Sequence, residues 1–328
     1  MDELTTTQAM SSAVREKRKL KQGFWRRNRS QLPLAAMCLP GAVLTFMFAY
    51  MPIFGIIIAF KKFNVRDGVL GSPWNGLDNF MYLFKTHDAF IMIRNTLLYN
   101  AVFILGGIAL AVMLAIGLSL VRQKRISKTY QTVLIMPHFL SMVIISYLVL
   151  AFLNMENGFL NKTILPILGM EPVNWYVEKG PWPYILTFVH FWKAAGFDCV
   201  LYLAAIAGID TQLYEAAAMD GAGTGKMVWH ITLPMLRSII CIKLILAVGH
   251  IFGGDFGLFY QVPMNSGALA DVTTTIPVYV YKSLTAGTSN SIGLGSAAAF
   301  IQSVVGCVLV VTTNAIVNKI SNGENGMF

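Results

Sequence analysis

The stretch EAAAMDGAGTGKMVWHITLP, from Glu215 to Pro234, decides how this chain is read. Its centre, GAGTGK, suggests a phosphate-binding loop, whose pattern is G-x-x-x-x-G-K-[ST]. Setting Gly225 and Lys226 on the G-K pair puts Asp220 where the first glycine belongs and Met227 where a hydroxyl is needed. An aspartate there would point negative charge at phosphates, and methionine offers Mg²⁺ no oxygen. Such a loop also follows a β-strand, and what precedes this one looks nothing like an αβ domain. The stretch serves some other purpose, and the rest of the chain supplies it.

Of 328 residues, 55% are hydrophobic and 12% charged. Soluble domains carry about 25% charged residues, so more apolar surface is present than one core can bury. Lipid is the expected solvent. The net charge of +9 does not point to nucleic acid, because eight of the 25 basic residues crowd into the tail REKRKLKQGFWRRNR, Arg15–Arg29. A basic tail ahead of an apolar run suits anionic lipid headgroups. Its length and the extended apolar run after it do not match a cleaved signal. Cys38, Cys199, Cys241 and Cys307 lie in apolar stretches without paired spacing. They read as small buried residues, neither disulfides nor metal ligands.

A membrane helix needs about 20 mostly apolar residues to cross ~30 Å of hydrocarbon. Six stretches qualify, roughly 34–60, 95–121, 130–154, 183–209, 238–261 and 292–317. With the N-terminus inside, 15 Lys and Arg fall on the cytoplasmic side and 7 on the other. That bias places both termini in the cytoplasm, although the pair Lys61-Lys62 runs against it. The expected fold is one all-α bundle of six transmembrane helices. Three loops then face outward, about 61–94, 155–182 and 262–291. In the first, Leu77, Phe80, Met81 and Phe84 recur at helical spacing, as in a short helix lying on the membrane surface. Trp74, Trp175 and Trp182 suit an interfacial aromatic belt.

The segment 210–237 is the only sizeable cytoplasmic loop between spans. Asp210 is placed to cap a helix through TQLYEAAAM, and Ala216, Ala217 and Ala218 leave it a smooth face for close packing. Asp220-Gly221-Ala222-Gly223 should break that helix. Thr224 is placed to cap a second short helix, which Pro234 should end. The product is a helix–turn–helix elbow too small to be a domain. By composition alone it would pass as an ordinary amphipathic loop.

Its spacing adds to that reading. Glu215-Ala216-Ala217, three residues, Gly221, nine residues, then Ile231, Leu233 and Pro234 resemble the EAA signature of permease subunits in binding-protein-dependent ABC importers. RNTLLYN at 94–100 looks like the opening of that family's permease domain. MPIFGIIIAFKKFN at 51–64, GFLNKTILPILG at 158–169 and GSAAAFIQSVVGCVLVVTTNAIV at 295–317 resemble the subgroup importing complex oligosaccharides. Ser238 departs from the pattern, standing where many members have a second proline.

The resemblance implies a division of the chain into a basic cytoplasmic tail (1–33), a first span with an external loop (34–93), a permease domain (94–318) and a cytoplasmic tail (319–328). It implies a non-catalytic subunit of the bacterial cytoplasmic membrane. Its partners would be a second homologous permease, two ATPase subunits, an extracytoplasmic solute-binding protein, the carbohydrate and membrane lipids, with no nucleic acid. This chain would hold no cofactor or metal, ATP and Mg²⁺ being bound by the ATPase. The elbow would be the coupling helix in a cleft of that ATPase, using Glu215, Ala216, Ala217, Asp220, Gly221, Ile231, Leu233 and Pro234.

Substrate is expected to meet polar groups inside the spans. His190, Lys193 and Asp198 fall in the fourth. At ~100° per residue His190 and Lys193 lie about 60° apart, with Asp198 about 80° to the other side of His190. His250 and Asp255 fall in the fifth. Each charge costs ~3 kcal/mol at the bilayer centre unless paired or wet, so this sector should face the interior, as pathway or as intersubunit bridges. Phe191, Trp192, Phe256 and Tyr260 are candidates to stack on sugar rings. An ion-coupled secondary transporter would also use intramembrane charges but leaves the EAA spacing unexplained. A membrane-embedded enzyme would want a nucleophile–base or metal motif, and neither HExxH nor GxSxG occurs.

Overall fold

The computed structural model describes residues 32–320, with side chains from 36 to 319. The basic tail and most of the C-terminal tail therefore lie outside the described residues. Within them the chain is helical, apart from one isolated bridge between Lys61 and Trp74. The described residues fall into two compact units, divided between Ile57 and Ile58.

In the first unit, α1 (Leu32–Thr45) continues through a π turn, Phe46–Tyr50, into a 3₁₀ stretch from Met51. Pro40 lies within α1, and Pro52 removes an N–H from the ladder where the winding changes from the π turn to the 3₁₀ stretch. Every side chain from Ala36 to Phe54 is exposed, and nearly all are apolar. Lipid satisfies such a surface and water does not.

The second unit holds α2 (Asp78–Lys85), α3 (His87–Ser119), α4 (Lys124–Ile135), α5 (Met142–Leu153), α6 (Trp182–Ala207), α7 (Thr211–Met219), α8 (Leu233–Gly249), α9 (Phe256–Gln261), α10 (Ile276–Thr285) and α11 (Ser289–Ile320). Among the described residues five helical stretches are long and apolar enough to cross a membrane: Ala36–Phe60, His87–Ser119, Trp182–Ala207, Thr224–Gly249 and Ser289–Lys319. The sixth, expected at 130–154, is broken, its halves Lys124–Phe139 and Met142–Leu153 meeting at 97°. Pro137 starts the break in a 3₁₀ turn. Leu140 and Ser141 are extended, and the Ser141 hydroxyl accepts from the Ile144 N–H at 3.3 Å to start α5.

The fifth span also differs from expectation. It begins at Thr224, so the second arm of the elbow is the start of the span, and it ends at Gly249 instead of reaching 261. Pro234 does not stop a helix but sits in the first turn of α8, where its missing N–H costs little. A π turn at Val228–Thr232 widens the ladder just ahead of it. Thr224 is the first helical residue and caps nothing; Gly223 holds the cap position.

α6 packs along α3, while α8 and α10 pack along α11. Gly196 lets α6 approach the backbone of α4, for a Cβ there would lie 1.8 Å from the Leu134 carbonyl oxygen. Small residues at helix crossings serve this purpose in membranes. The RNTLLYN segment has a structural role. Arg94 and Asn95 donate to the Asp271 carbonyl at 2.8 and 3.0 Å, Asn95 also to Thr274 at 3.0 Å, and Tyr99 to Val272 at 2.9 Å. The Thr96 hydroxyl accepts from the Ile276 N–H at 3.0 Å. Together they pin the 271–276 backbone to α3.

Three local expectations need correction. Trp182 is fully buried and donates to the Trp175 carbonyl at 2.6 Å, and Trp175 donates to Asn161 at 3.0 Å, so these two brace a loop instead of forming a belt. Trp74 alone is exposed, with the Lys61 ammonium 5.5 Å above its ring. On α2, Phe80 turns inward against Phe60 and Phe300, while Leu77, Met81 and Phe84 form an exposed stripe. Of the cysteines Cys199 is buried, but Cys38 and Cys307 are exposed on apolar helices, where lipid replaces a core.

Candidate functional site: a polar cavity and an elbow

A cavity of about 620 Å³ lies among α3, α6, α8 and α11. α3 supplies Asn100, Phe103 and Gly107, which recur on one helical face; α6 supplies His190 and Asp198, two turns apart; α11 supplies Gln302. Beyond α8, Gly249 ends the helix and the chain turns through His250, Gly253 and Gly254 to Asp255. Gly254 has φ +59°, which a side chain would resist. The Asp255 carboxylate accepts from the Leu258 N–H at 3.1 Å, so it both caps α9 and faces the cavity. The His190 ring lies flat on Phe103, centroids 3.8 Å apart.

Four of the five residues singled out in the spans, His190, Asp198, His250 and Asp255, thus line one cavity. Lys193 does not. Its ammonium donates to the carbonyls of His138 and Leu140 at 3.0 and 2.5 Å, taking up acceptors freed by the break before α5. The charge expected beside His190 is instead Lys243 of α8, which donates to Asp198 at 2.5 Å. An opposite charge on a neighbouring span was the available signal for Lys243. Asn100 closes the RNTLLYN segment, singled out for its resemblance and not as a lining group, and nothing in the sequence marked Gln302. Phe191 lines the cavity, whereas Phe256 and Tyr260 close on Tyr281 in a cluster of rings 4.7 to 5.0 Å apart.

At the other end of α6 the elbow follows after Gly208-Ile209-Asp210. The Asp210 carboxylate caps α7, accepting from the Gln212 N–H at 2.9 Å. α7 ends in a Schellman turn: Ala222 N–H donates to the Ala217 carbonyl and Gly221 N–H to that of Ala218. Gly221 carries the left-handed φ of +76° that this turn requires. One side-chain hydrogen bond, Tyr214 to Thr232 at 2.9 Å, ties α7 to the second arm. Glu215, Ala216, Met219, Asp220, Trp229 and Pro234 are exposed, while Ala217, Ile231 and Leu233 are half-buried. Among the described residues no group of His, Cys, Asp or Glu is arranged to hold a metal.

The chain belongs to the family described as "Binding-protein-dependent transport system inner membrane component", which matches residues 107–321. It is therefore a non-catalytic transmembrane permease subunit of an ABC transporter, an inner-membrane component, and the secondary-transporter and enzyme readings fall away. It is 34% identical over 90% of its length, and 90% of the relative's, to the Bacillus subtilis polygalacturonan/rhamnogalacturonan transport system permease protein YteP. It is 32% identical to protein LplB of the same organism, covering 90% and 91%. A crystal structure of a bacterial ABC transporter for the import of the acidic polysaccharide alginate contains a chain that superposes with a TM-score of 0.81 at 31% identity, covering 90% and 98%. Another, of an alginate ABC transporter in complex with an alginate pentasaccharide-bound periplasmic protein, gives 0.82 at 30% identity, covering 93% and 99%.

Proposed function

We propose that this chain is one of two permease halves of an ATP-driven importer of oligosaccharides in the bacterial cytoplasmic membrane, with both termini in the cytoplasm. An extracytoplasmic binding protein delivers the sugar. Two separate ATPase subunits bind ATP and Mg²⁺ and grip the elbow 210–234. One observation carries this reading: the second arm of the elbow is the start of the helical stretch Thr224–Gly249, and the first arm joins α6 through the short turn Gly208-Ile209-Asp210, so both lead into helices that line the polar cavity. A push on the exposed elbow is therefore passed to Lys243 along one helical stretch and to Asp198 across a three-residue turn and along α6. The cavity offers hydroxyl-binding groups in His190, His250, Asp255, Asn100 and Gln302, with Phe191 as an apolar aromatic wall, a mixture suited to sugars. The relatives' polysaccharide substrates support the same class.

The test uses the complete complex in proteoliposomes, assayed for ATP-driven uptake of labelled oligosaccharides, uronic-acid-containing and neutral. Glu215→Lys should insert and assemble with the second permease but bind the ATPase poorly, because a reversed charge in a desolvated interface costs several kcal/mol. Uptake and sugar-stimulated hydrolysis should both be lost. Wild-type stimulation in that variant would remove Glu215 from the interface. For topology, in a cysteine-free background, a cysteine at exposed Asn174 should react with an impermeant maleimide in intact cells and one at exposed Lys128 should not.

A further inference from the structure

The Asp198–Lys243 pair bridges two parts of the bundle. Asp198 stands on α6, which packs on α3, and Lys243 on α8, which packs on α11, with the cavity between them. The other salt bridge among the described residues, Lys179–Asp271, joins the loop before α6 to the short helix Ala270–Thr273. About nine residues of α6, roughly 14 Å at 1.5 Å per residue, separate Asp198 from the elbow. A similar length of α8 separates Lys243 from Thr232, the last residue of the π turn. The same two arms are thus tied twice, by Tyr214–Thr232 at the elbow and by the ion pair at the cavity.

Lys193 offers a contrast within the same helix. Its ammonium is held by two backbone carbonyls at a fixed break and is a permanent staple. The Asp198 and Lys243 side chains are instead 31% and 32% exposed, both on the wall of the cavity. Parting them would leave each charge on a polar, wettable surface instead of stranded in hydrocarbon, so this pair can open where the staple cannot.

We propose that Asp198–Lys243 is a latch. It holds α6 to α8 in the resting conformer and opens when the elbow drives the two helices apart. Opening presents a carboxylate and an ammonium to the sugar, whose hydroxyls take the places the two groups vacate. The latch rests on the importer reading above and names the pair that sets its resting state. A ligand or partner shifts such an equilibrium only by its differential affinity for the two states. Removing the latch therefore lets the complex leave the resting state without the binding protein.

The experiment measures ATP hydrolysis by the complete complex in nanodiscs, with and without sugar-loaded binding protein. Asp198→Asn and Lys243→Met should each raise unstimulated hydrolysis about five- to tenfold, within the scale of coupling between residues in contact, and shrink the stimulation ratio by as much. Asp198→Lys combined with Lys243→Asp should recover most of the ratio, and Lys243→Arg should keep it. Single variants with the wild-type ratio overturn the latch, as does a charge swap as leaky as the singles. A lower melting temperature with an unchanged ratio would make the pair a static brace and also overturn it. If the neutral variants do not assemble, Lys243→Arg and the swap decide alone, and a collapsed ratio in both refutes the proposal. A wild-type complex that the binding protein fails to stimulate overturns the importer reading, and the latch with it.

Discussion

Adding one methyl group at Gly196 should damage this protein more than any change on its elbow. The Cβ of Gly196→Ala would lie 1.8 Å from the Leu134 carbonyl oxygen and 2.3 Å from its carbon. An ordinary C···O contact is ~3.3 Å, so α6 and α4 must part by about 1.5 Å. Both sides of the clash are backbone, and no rotamer can relieve it. Lys193 sits one turn earlier on α6, held to His138 and Leu140 at 3.0 and 2.5 Å. The same displacement carries those bonds beyond useful length. Overpacking costs about 1–3 kcal/mol, and interhelical hydrogen bonds in membranes average about 0.6 kcal/mol each. The total is about 3 kcal/mol, or roughly 4 °C in melting temperature for a chain of 328 residues. Thermal loss of the monodisperse detergent-solubilised complex measures it, and Lys193→Met, which loses the bonds without the clash, should fall between. A Gly196→Ala complex melting within a degree of wild type would mean that these helices have slack, and would refute the reasoning.

At Gly221 the space is open and only the backbone objects, so Gly221→Val should leave melting unchanged while abolishing sugar-stimulated ATP hydrolysis, at a local cost of about 1–2 kcal/mol. Asn161 is buried and donates to the carbonyls of Asn154, Met155 and Val173 while accepting from Val173 N–H and Trp175. Asn161→Ala strands these groups at about 1–3 kcal/mol, and limited proteolysis should then cut within 155–182. The Asp271 carboxyl is held below the usual carboxylate range by the hydrogen bond from Lys179 and by its charge. A depressed carboxyl contributes stability that is complete above its unfolded pKa and is lost as pH falls through the folded one. Hydrogen-exchange protection in 155–182, taken relative to the intrinsic rate at each pH, should therefore stay constant from neutrality down to the ordinary carboxylate range and fall only below it, and Asp271→Asn should remove that dependence.

The spans and the elbow were legible because lipid imposes a composition and Gly221 a conformation, and both are written residue by residue. What could not be read depends on partners far away in sequence. Helical angles put Lys193 and Asp198 in one sector with His190. The choice between cavity and break was made by Pro137 and Ser141, some fifty residues earlier, which bent a span and freed carbonyls for Lys193. Pro234 was misread as a stop because a π turn upstream can carry a helix into proline, and no residue type announces a π turn. Phe80 was placed with Leu77 and Met81 on a membrane-facing stripe, but Phe300, more than two hundred residues away, draws it inward. Trp175 and Trp182 went the same way, claimed by Asn161 and by each other.

The geometry of the elbow is set almost wholly by bonds within it: the Asp210 cap, the Schellman turn at Gly221 and the Tyr214–Thr232 link. None of these reaches the cavity wall. Residues that choose the cargo can therefore diverge without disturbing the piece that faces the motor, and the piece that faces the motor can be inherited unchanged. On the proposed function, one ATPase could then serve several importers of different sugars, with cargo specificity exchanged as a cassette. Grafting 210–234 between two such permeases should move the preference for an ATPase and leave the preference for a sugar behind.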